Sequence, residues 1–179
     1  MTDAPTAAIL IIGDEILSGR TRDANMHYLA GQLTEKGIKL CEVRVIMDEH
    51  ERIKDTVAEL SKTYTHVFTS GGIGPTHDDI TADAVAAAFD DRIDIRDDAR
   101  EILKAHYEKS GSELTAARLR MARIPDSASL IENPVSSAPG FTLGNVHVMA
   151  GVPSVFQAMV ASLLPKLTGS APMLSESLR

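Results

Sequence analysis

The chain has 179 residues, of which 44% are apolar and 24% are charged, and this composition excludes a disordered or fibrous protein. The formal net charge is −7 and the arginines are scattered, which argues against a general nucleic-acid binder. The single cysteine, Cys41, lies in an apolar stretch, so we expect a buried thiol, no internal disulfide and a reducing, cytoplasmic location.

We expect one domain over residues 1–170, followed by a tail over residues 171–179. The N-terminus lacks the basic start and apolar stretch of a signal peptide. No window approaches the roughly 18 uninterrupted apolar residues of a membrane span, so we expect no membrane partner.

The first half of the chain alternates apolar runs typical of buried strands with stretches of helical spacing. The predicted strands are residues 7–12, 38–47 and 66–70, and the predicted helices lie near residues 25–37, 53–64 and 82–89. Asn25 is expected to cap the start of the first helix and Gly37 to end it. This alternation predicts an α/β fold with parallel βαβ units.

The second half of the chain is expected to add helices and one hairpin. Residues 97–123 are predicted to form two helices with a break at Gly111. Residues 141–149 contain two apolar runs joined by Gly144-Asn145, which predicts a hairpin and therefore a mixed sheet. Pro153 is expected to start a last helix with a long apolar stripe, interpreted mainly as core.

A glycine-rich loop joins the third predicted strand to the helix that follows it. It reads Ser70-Gly71-Gly72-Ile73-Gly74-Pro75-Thr76-His77-Asp78-Asp79-Ile80-Thr81. Glycines allow close backbone approach and positive φ angles, so successive N–H groups can face an anion at the start of a helix. The crevice at the strand C-termini is also where open α/β sheets usually bind ligands. We therefore predict that a phosphate-bearing small molecule binds at this glycine loop, residues 70–79.

The alternative for this loop is structural, with Asp79 or Thr81 capping the helix. No lysine follows the glycines and there is no Gly-x-Gly-x-x-Gly pattern, which disfavours the Walker A and dinucleotide-fingerprint families. Because the loop holds no basic residue, we expect Mg²⁺ or another divalent cation at Asp78 and Asp79, although one of the two could only cap the helix. His77 could donate to a phosphate.

Carboxylates also follow the first two predicted strands. Asp14 and Glu15 come directly after Gly13, and Asp48 follows the second strand. Two carboxylates from neighbouring strand ends suit metal-assisted phosphoryl or nucleotidyl transfer. Asp48 could equally cap the next helix, and a βα turn often contains Gly and Asp for structural reasons alone.

The glycine loop and Gly13-Asp14-Glu15-Ile16-Leu17 strongly resemble the molybdopterin-binding, or molybdenum-cofactor-biosynthesis, domain family. The resemblance extends to Asp23-Ala24-Asn25, Asp48, Pro139-Gly140-Phe141 and Gly151-Val152-Pro153. These segments look like the branch of competence- and damage-inducible protein A and the N-terminal domain of eukaryotic FAD synthase. The family implies a three-layer αβα fold with a central, mostly parallel mixed sheet, homo-oligomers (dimers or trimers) and a ligand at the glycine loop.

By position, the resemblance implies catalytic roles for Asp48 and Asp79. The implied ligand-binding residues are Gly13, Asp14, Glu15, Asn25, Ser70, Gly71, Gly72, Gly74, Pro75, Thr76, His77, Thr81, Gly151 and Pro153. The competence-protein and FAD-synthase branch is associated with metal-dependent cleavage of dinucleotide pyrophosphates such as ADP-ribose or FAD. The adenylyltransferase branch instead transfers AMP to molybdopterin with Mg²⁺, and the sequence here looks closer to the first branch.

One segment departs from the family pattern. The branch commonly has Pro-Gly-Val-Pro-x-Glu where this chain reads Ala150-Gly151-Val152-Pro153-Ser154-Val155. The resemblance also stops before the amidase or synthase region of the longer proteins, so we expect a stand-alone domain. Three functions stay open: a dinucleotide pyrophosphatase as the leading hypothesis, a molybdopterin adenylyltransferase, and a catalytically silent module that binds molybdopterin or a nucleotide.

Overall fold

The computed structural model describes residues 4–170, so the predicted tail over residues 171–179 lies outside the described residues. The strands are β1 (Thr6–Ile12), β2 (Lys39–Ile46), β3 (His66–Ser70), β4 (Ile93–Ile95), β5 (Arg123–Pro125), β6 (Ser129–Ile131), β7 (Gly140–Leu143) and β8 (Val146–Met149). The α-helices are α1 (Asp14–Leu17), α2 (Asn25–Lys36), α3 (His50–Thr63), α4 (Thr81–Ala88), α5 (Asp97–Ser110), α6 (Ala116–Leu119) and α7 (Pro153–Leu163). Two 3₁₀ turns cover Arg120–Ala122 and Leu164–Lys166.

Six strands form the central sheet in the order β2-β1-β3-β8-β7-β6. β1 is parallel to β2 and β3, and β3 is parallel to β8. β7 is antiparallel to β8 and to β6, which confirms both the predicted hairpin and the mixed sheet. Because β1, β2, β3 and β8 run in the same direction, the loops that follow them meet at one edge of the sheet.

Helices cover both faces of this sheet, which confirms the three-layer αβα fold. Every residue from Ala7 to Ile12 is buried, as expected for a strand covered on both sides. Alternate β1 residues pack with α3, α4 and α5 on one face, and the intervening ones pack with α2 and α7 on the other. The apolar stripe of α7 is core: Phe156, Met159 and Val160 are all buried.

Two expectations for single residues are wrong. Ala24, rather than Asn25, stands at the N-cap of α2, and the carboxylate of Asp23 accepts the N–H groups of Asn25 and Met26. Cys41 is exposed rather than buried, because β2 is an edge strand. Sequence pattern shows that a strand is apolar but not whether a neighbour covers it.

Three short strands were not predicted. β4, β5 and β6 contain three residues each, which is too short for a period-two pattern to stand out. The predicted helices after residue 97 are confirmed in α5 and α6, and Gly111 ends α5 in the left-handed region with φ 68°. Within residues 4–170, none of the helices is long and apolar enough to cross a membrane.

A pair of histidines lies in the sheet at the end opposite the glycine loop. His147 is 3% exposed and shares hydrogen bonds with Thr142 Oγ1 at 2.9 Å and with His66 Nδ1 at 3.1 Å. Burial, together with the smaller effect of the charge of His66, lowers the pKa of His147 to about 3. The folded protein therefore holds this imidazole neutral.

Acidification is expected to destabilise the fold through His147. In the unfolded chain this residue takes up a proton near pH 6.5, but the folded chain resists protonation until about pH 3. Between those values the unfolded state binds more protons, so the free energy of unfolding should fall by up to about 1.4 kcal/mol per pH unit from this group. Urea unfolding at pH 7 and pH 5 measures the change. A His147→Gln variant should show a weaker pH dependence, and an unchanged dependence would contradict this assignment.

Candidate functional site

A cleft of about 580 Å³ opens at the C-terminal edge of the parallel strands. Ten of the residues predicted to form the site line this cleft. The predicted residues that line it are Glu15, Asp48, Gly71, Gly72, Gly74, Pro75, Asp78, Asp79, Gly151 and Pro153. These residues follow β1, β2, β3 and β8. Because these four strands are parallel neighbours, their C-terminal ends lie at one edge of the sheet.

The path of the glycine loop requires glycine at its first two positions. Gly71 has φ +108° and donates its N–H to the Met149 carbonyl oxygen at 3.1 Å. A Cβ at Gly71 would collide with the Ile12 carbonyl oxygen, and a Cβ at Gly72 (φ +72°) would collide with Thr81 Oγ1. The loop therefore passes against the ends of β1 and β8 in a conformation that other residues do not tolerate.

Three successive amides of the loop are available to a ligand. Among residues 4–170, the N–H groups of Gly72, Ile73 and Gly74 find no hydrogen-bond acceptor. All three residues line the cleft. Consecutive unpaired N–H groups form a concave anion site, so this stretch suits a phosphate.

Asp79 holds the second half of the loop. Its Oδ2 accepts the Thr76 N–H at 2.8 Å and the Thr76 hydroxyl at 2.7 Å. This carboxylate therefore closes a turn within the loop instead of capping α4, whose N-cap is Ile80 without a side-chain bond. The other oxygen, Oδ1, accepts no hydrogen bond from residues 4–170 and lies beside Gly74. That oxygen is free for a ligand or a cation.

Asp48 is joined to the loop after β1. Its Oδ2 accepts the Asp14 N–H at 3.0 Å, and its own N–H donates to Asp14 Oδ1 at 3.3 Å. Asp48 is therefore not the cap of α3, which begins after Glu49. Burial raises the pKa of Asp48 above its ordinary value, and the charges of Asp14, Glu15 and Asp79 add to the increase, against the hydrogen bond from Asp14.

Asn25 ties two sides of the cleft together. Its side-chain amide donates to Ser70 Oγ and to the Gly151 carbonyl oxygen, both at 2.8 Å. Asn25 and Ser70 are almost fully buried, so both position the backbone beside the cleft. The Asn25 Oδ1 atom is buried without a partner among residues 4–170 and borders a small pocket of about 50 Å³ next to the cleft.

The structure places the other predicted residues outside the main cleft. Asp14 and the exposed His77 line a neighbouring groove together with Asp48 and Asp78. Thr81 is fully buried under Gly72. Gly13 and Thr76 hold the backbone: the Gly13 N–H donates to the Ile46 carbonyl oxygen, and Thr76 binds Asp79.

Sequence reasoning missed one wall of the cleft. This wall contains Met121, Asn133, Ser136 and Ala138. The Asn133 side chain closes its own loop by donating to Ser136 Oγ and the Ala138 carbonyl oxygen and by accepting the Ser136 N–H. The Asn-Pro dipeptide at 133–134 signals a turn, but nothing in the sequence places that turn beside the glycine loop.

The donor set of the cleft fits a hard divalent cation. Its acidic side chains offer only oxygen ligands. Burial first, and then the charges of Asp14, Glu15 and Asp79, raise the pKa of Asp48. Within residues 4–170, no three His, Cys, Asp or Glu side chains already form a metal cage. Magnesium commonly takes one or two carboxylates and completes its shell with water and phosphate oxygens, so the absence of a cage is compatible with such a site.

A family model and several known proteins match most of this chain. The family model described as "Probable molybdopterin binding domain" matches residues 8–169. A protein of Metallosphaera sedula is 37% identical over 172 residues, covering 93% of this chain and 65% of that protein. A protein named probable FAD synthase from Caenorhabditis briggsae is 35% identical over 167 residues, covering 83% of this chain and 32% of that protein. The chain thus spans less than two thirds of the length of these relatives.

Solved structures agree with these matches. CinA from Thermoplasma acidophilum, described as a protein of unknown function, is 33% identical with a TM-score of 0.82 and covers 90% of this chain and 98% of that one. The tungsten cofactor synthesizing protein MoaB from Pyrococcus furiosus is 15% identical with a TM-score of 0.59, covering 93% and 94%. The second likeness supports the shared fold alone.

Replacing Gly71 by alanine is expected to lower the free energy of unfolding by about 2 kcal/mol or more, because a Cβ would strain the backbone at positive φ and meet the end of β1. Gly31 in α2 is the matched control, since a Cβ there meets nothing within 4 Å. Gly31→Ala should raise the free energy of unfolding by about 0.5–1 kcal/mol. Urea unfolding of both variants tests this, and equal effects would contradict the geometry.

Proposed function

Because the chain belongs to the molybdopterin-binding domain family, with the CinA and MoaB type of fold, we propose that its cleft cleaves the pyrophosphate linkage of a dinucleotide with the help of a divalent cation. The main support for the proposal is that hydrogen-bond donors suited to an anion lie beside carboxylates suited to a cation. Unpaired N–H groups of residues 72–74 and the carboxylates of Asp48 and Asp79 line the same cleft. A phosphate would bind the amides, and a cation would bind at Asp79.

The glycine loop holds one phosphate group of the substrate in this proposal. The N–H groups of Gly72, Ile73 and Gly74 donate to its oxygens without displacing existing hydrogen bonds. Since Gly71 donates to the Met149 carbonyl oxygen and Gly72 accepts the Thr81 N–H, the donors are arranged before the ligand arrives. Such preorganised donors stabilise the charge that builds up during phosphoryl transfer.

Asp78 and Asp79 are the residues that would hold the cation, and Asp48 lies in the same cleft. Asp79 suits this role because Oδ2 fixes the loop while Oδ1 remains free. When bound, a divalent cation would supply positive charge to the phosphate oxygens and make the attacking water more acidic.

Asp48 is the proposed proton acceptor. Water attacks one phosphorus atom, the bridging P–O bond breaks, and the proton of the water passes to the Asp48 carboxylate. The raised pKa of Asp48 suits this step, because a carboxyl group with a higher pKa accepts a proton more readily. The products of ADP-ribose would be AMP and ribose phosphate, and those of FAD would be AMP and FMN.

A second candidate is a molybdopterin adenylyltransferase at the same carboxylates, since the family description names molybdopterin as a ligand. Both reactions break a pyrophosphate linkage, but the acceptor differs: water in the first and the phosphate of molybdopterin in the second. A silent binding module is the third candidate. It is motivated by Val155, a buried cleft residue at the position where the family branch commonly has a carboxylate.

Product analysis with Mg²⁺ or Co²⁺ distinguishes the candidates when the purified protein receives FAD, ADP-ribose, or ATP with molybdopterin. We expect metal-dependent AMP release from a dinucleotide. Asp48→Asn and Asp79→Asn should each lower turnover at least about a hundredfold, because general-base catalysis and charge stabilisation contribute on this scale.

The Asp48→Asn variant also has a stability control. An asparagine at position 48 can still accept the Asp14 N–H. It also removes a negative charge that is repelled by Glu15 and Asp79, so the free energy of unfolding should be unchanged or higher. Turnover and metal dependence that survive Asp79→Asn would show that the proposal is wrong. Adenylylated pterin from ATP would instead establish the transferase, and tight binding without any product would establish the silent module.

A further inference from the structure

Arg120 is an unpaired cation beside the glycine loop. It begins the 3₁₀ turn Arg120–Ala122, between α6 and β5. Its Nε atom is buried without a hydrogen-bond partner, and within residues 4–170 its guanidinium forms neither a hydrogen bond nor an ion pair. The neighbouring Arg123, by contrast, is paired with Asp83.

The surroundings of Arg120 connect it to the cleft. Arg120 lines a small recess of about 20 Å³, and this recess shares Ile73, Gly74, Asp79 and Met121 with the main cleft. The recess itself is too small for a ligand, which is usually held in a pocket of several hundred Å³. Arg120 therefore lies next to the larger cleft, behind the residues that the two share, and Phe141 of β7 also lines the recess.

An unpaired buried N–H on a charged group is energetically unfavourable. A charged donor that is removed from water loses its hydration, and without an acceptor it forms no hydrogen bond that compensates this loss. Arginine prefers phosphate or carboxylate oxygens, which its planar fork can bind through two parallel hydrogen bonds. An anion bound in the adjoining cleft would supply an acceptor for Arg120, which is itself half-buried.

We propose that Arg120 binds a second phosphate of the ligand. The loop amides hold one phosphate of a pyrophosphate and the guanidinium of Arg120 holds the other. This inference rests on the proposed function, because it names a phosphate-binding residue of the same cleft. It also gives the otherwise acidic cleft a cation of its own next to Asp79.

Equilibrium binding of inorganic pyrophosphate tests the role of Arg120 without requiring turnover. Isothermal titration is carried out on the full chain at constant Mg²⁺, with the wild type, Arg120→Gln and Arg120→Lys. Arg92→Gln is the matched control, since it removes the same charge from a side chain that is 77% exposed. Thermal unfolding of each variant checks that it is folded.

Arg120→Gln is expected to raise the Kd for pyrophosphate at least tenfold, and Arg120→Lys to raise it by a smaller factor, because lysine keeps the charge but not the fork. Arg92→Gln should leave the Kd within twofold. A Kd of Arg120→Gln within twofold of the wild type, an equal loss in Arg92→Gln, or no binding of pyrophosphate to the wild type overturns the inference.

Turnover assays separate this inference from the proposed function. If the wild type releases no AMP from any dinucleotide but binds pyrophosphate through Arg120, the phosphate-binding role of Arg120 is supported and only the proposed pyrophosphatase function is wrong. If Arg120→Gln is unstable, the Arg120→Lys variant decides: a Kd equal to that of the wild type overturns the inference, and a weaker one supports it.

Discussion

The close approach of Gly71 to the ends of β1 and β8 determines the shape of the cleft. The N–H of Gly71 binds the last residue of β8, while its Cα faces the carbonyl group that ends β1. Asn25 reinforces this junction by bonding Ser70 and Gly151. The chain therefore turns sharply after β3, and the next three amides face the cleft instead of a neighbouring strand.

Two opposing charge patterns meet at this junction. The unpaired amides of residues 72–74 favour an anion, whereas Asp48, Glu15 and Asp79 repel one another and favour a cation. Unpaired donors and neighbouring like charges both disfavour the folded state unless solvent or a ligand compensates them. A phosphate accompanied by a divalent cation satisfies both, which gives a physical reason for these groups to share one cleft. Sites of this kind are commonly less stable than the rest of a fold.

The sequence was informative where a local pattern determines structure. The apolar run of β1, the βαβ alternation, the Gly144-Asn145 hairpin and the glycine loop were all predicted, because each depends on residues close in the chain. Contacts between distant segments were not accessible. Asn25 was interpreted as a cap from its residue type, although it binds Gly151 across the cleft. Arg120 and the wall at Asn133 were missed because only tertiary packing brings them to the loop.

A crystal structure with Mg²⁺ and α,β-methylene-ADP, whose phosphorus–carbon bridge resists hydrolysis, would locate the phosphate and cation sites. The proposed function predicts one phosphate on the amides of residues 72–74 and a cation that would be held by Asp78 or Asp79. A diphosphate bound elsewhere on the protein, or one held in the cleft with its phosphates away from these amides, would contradict it.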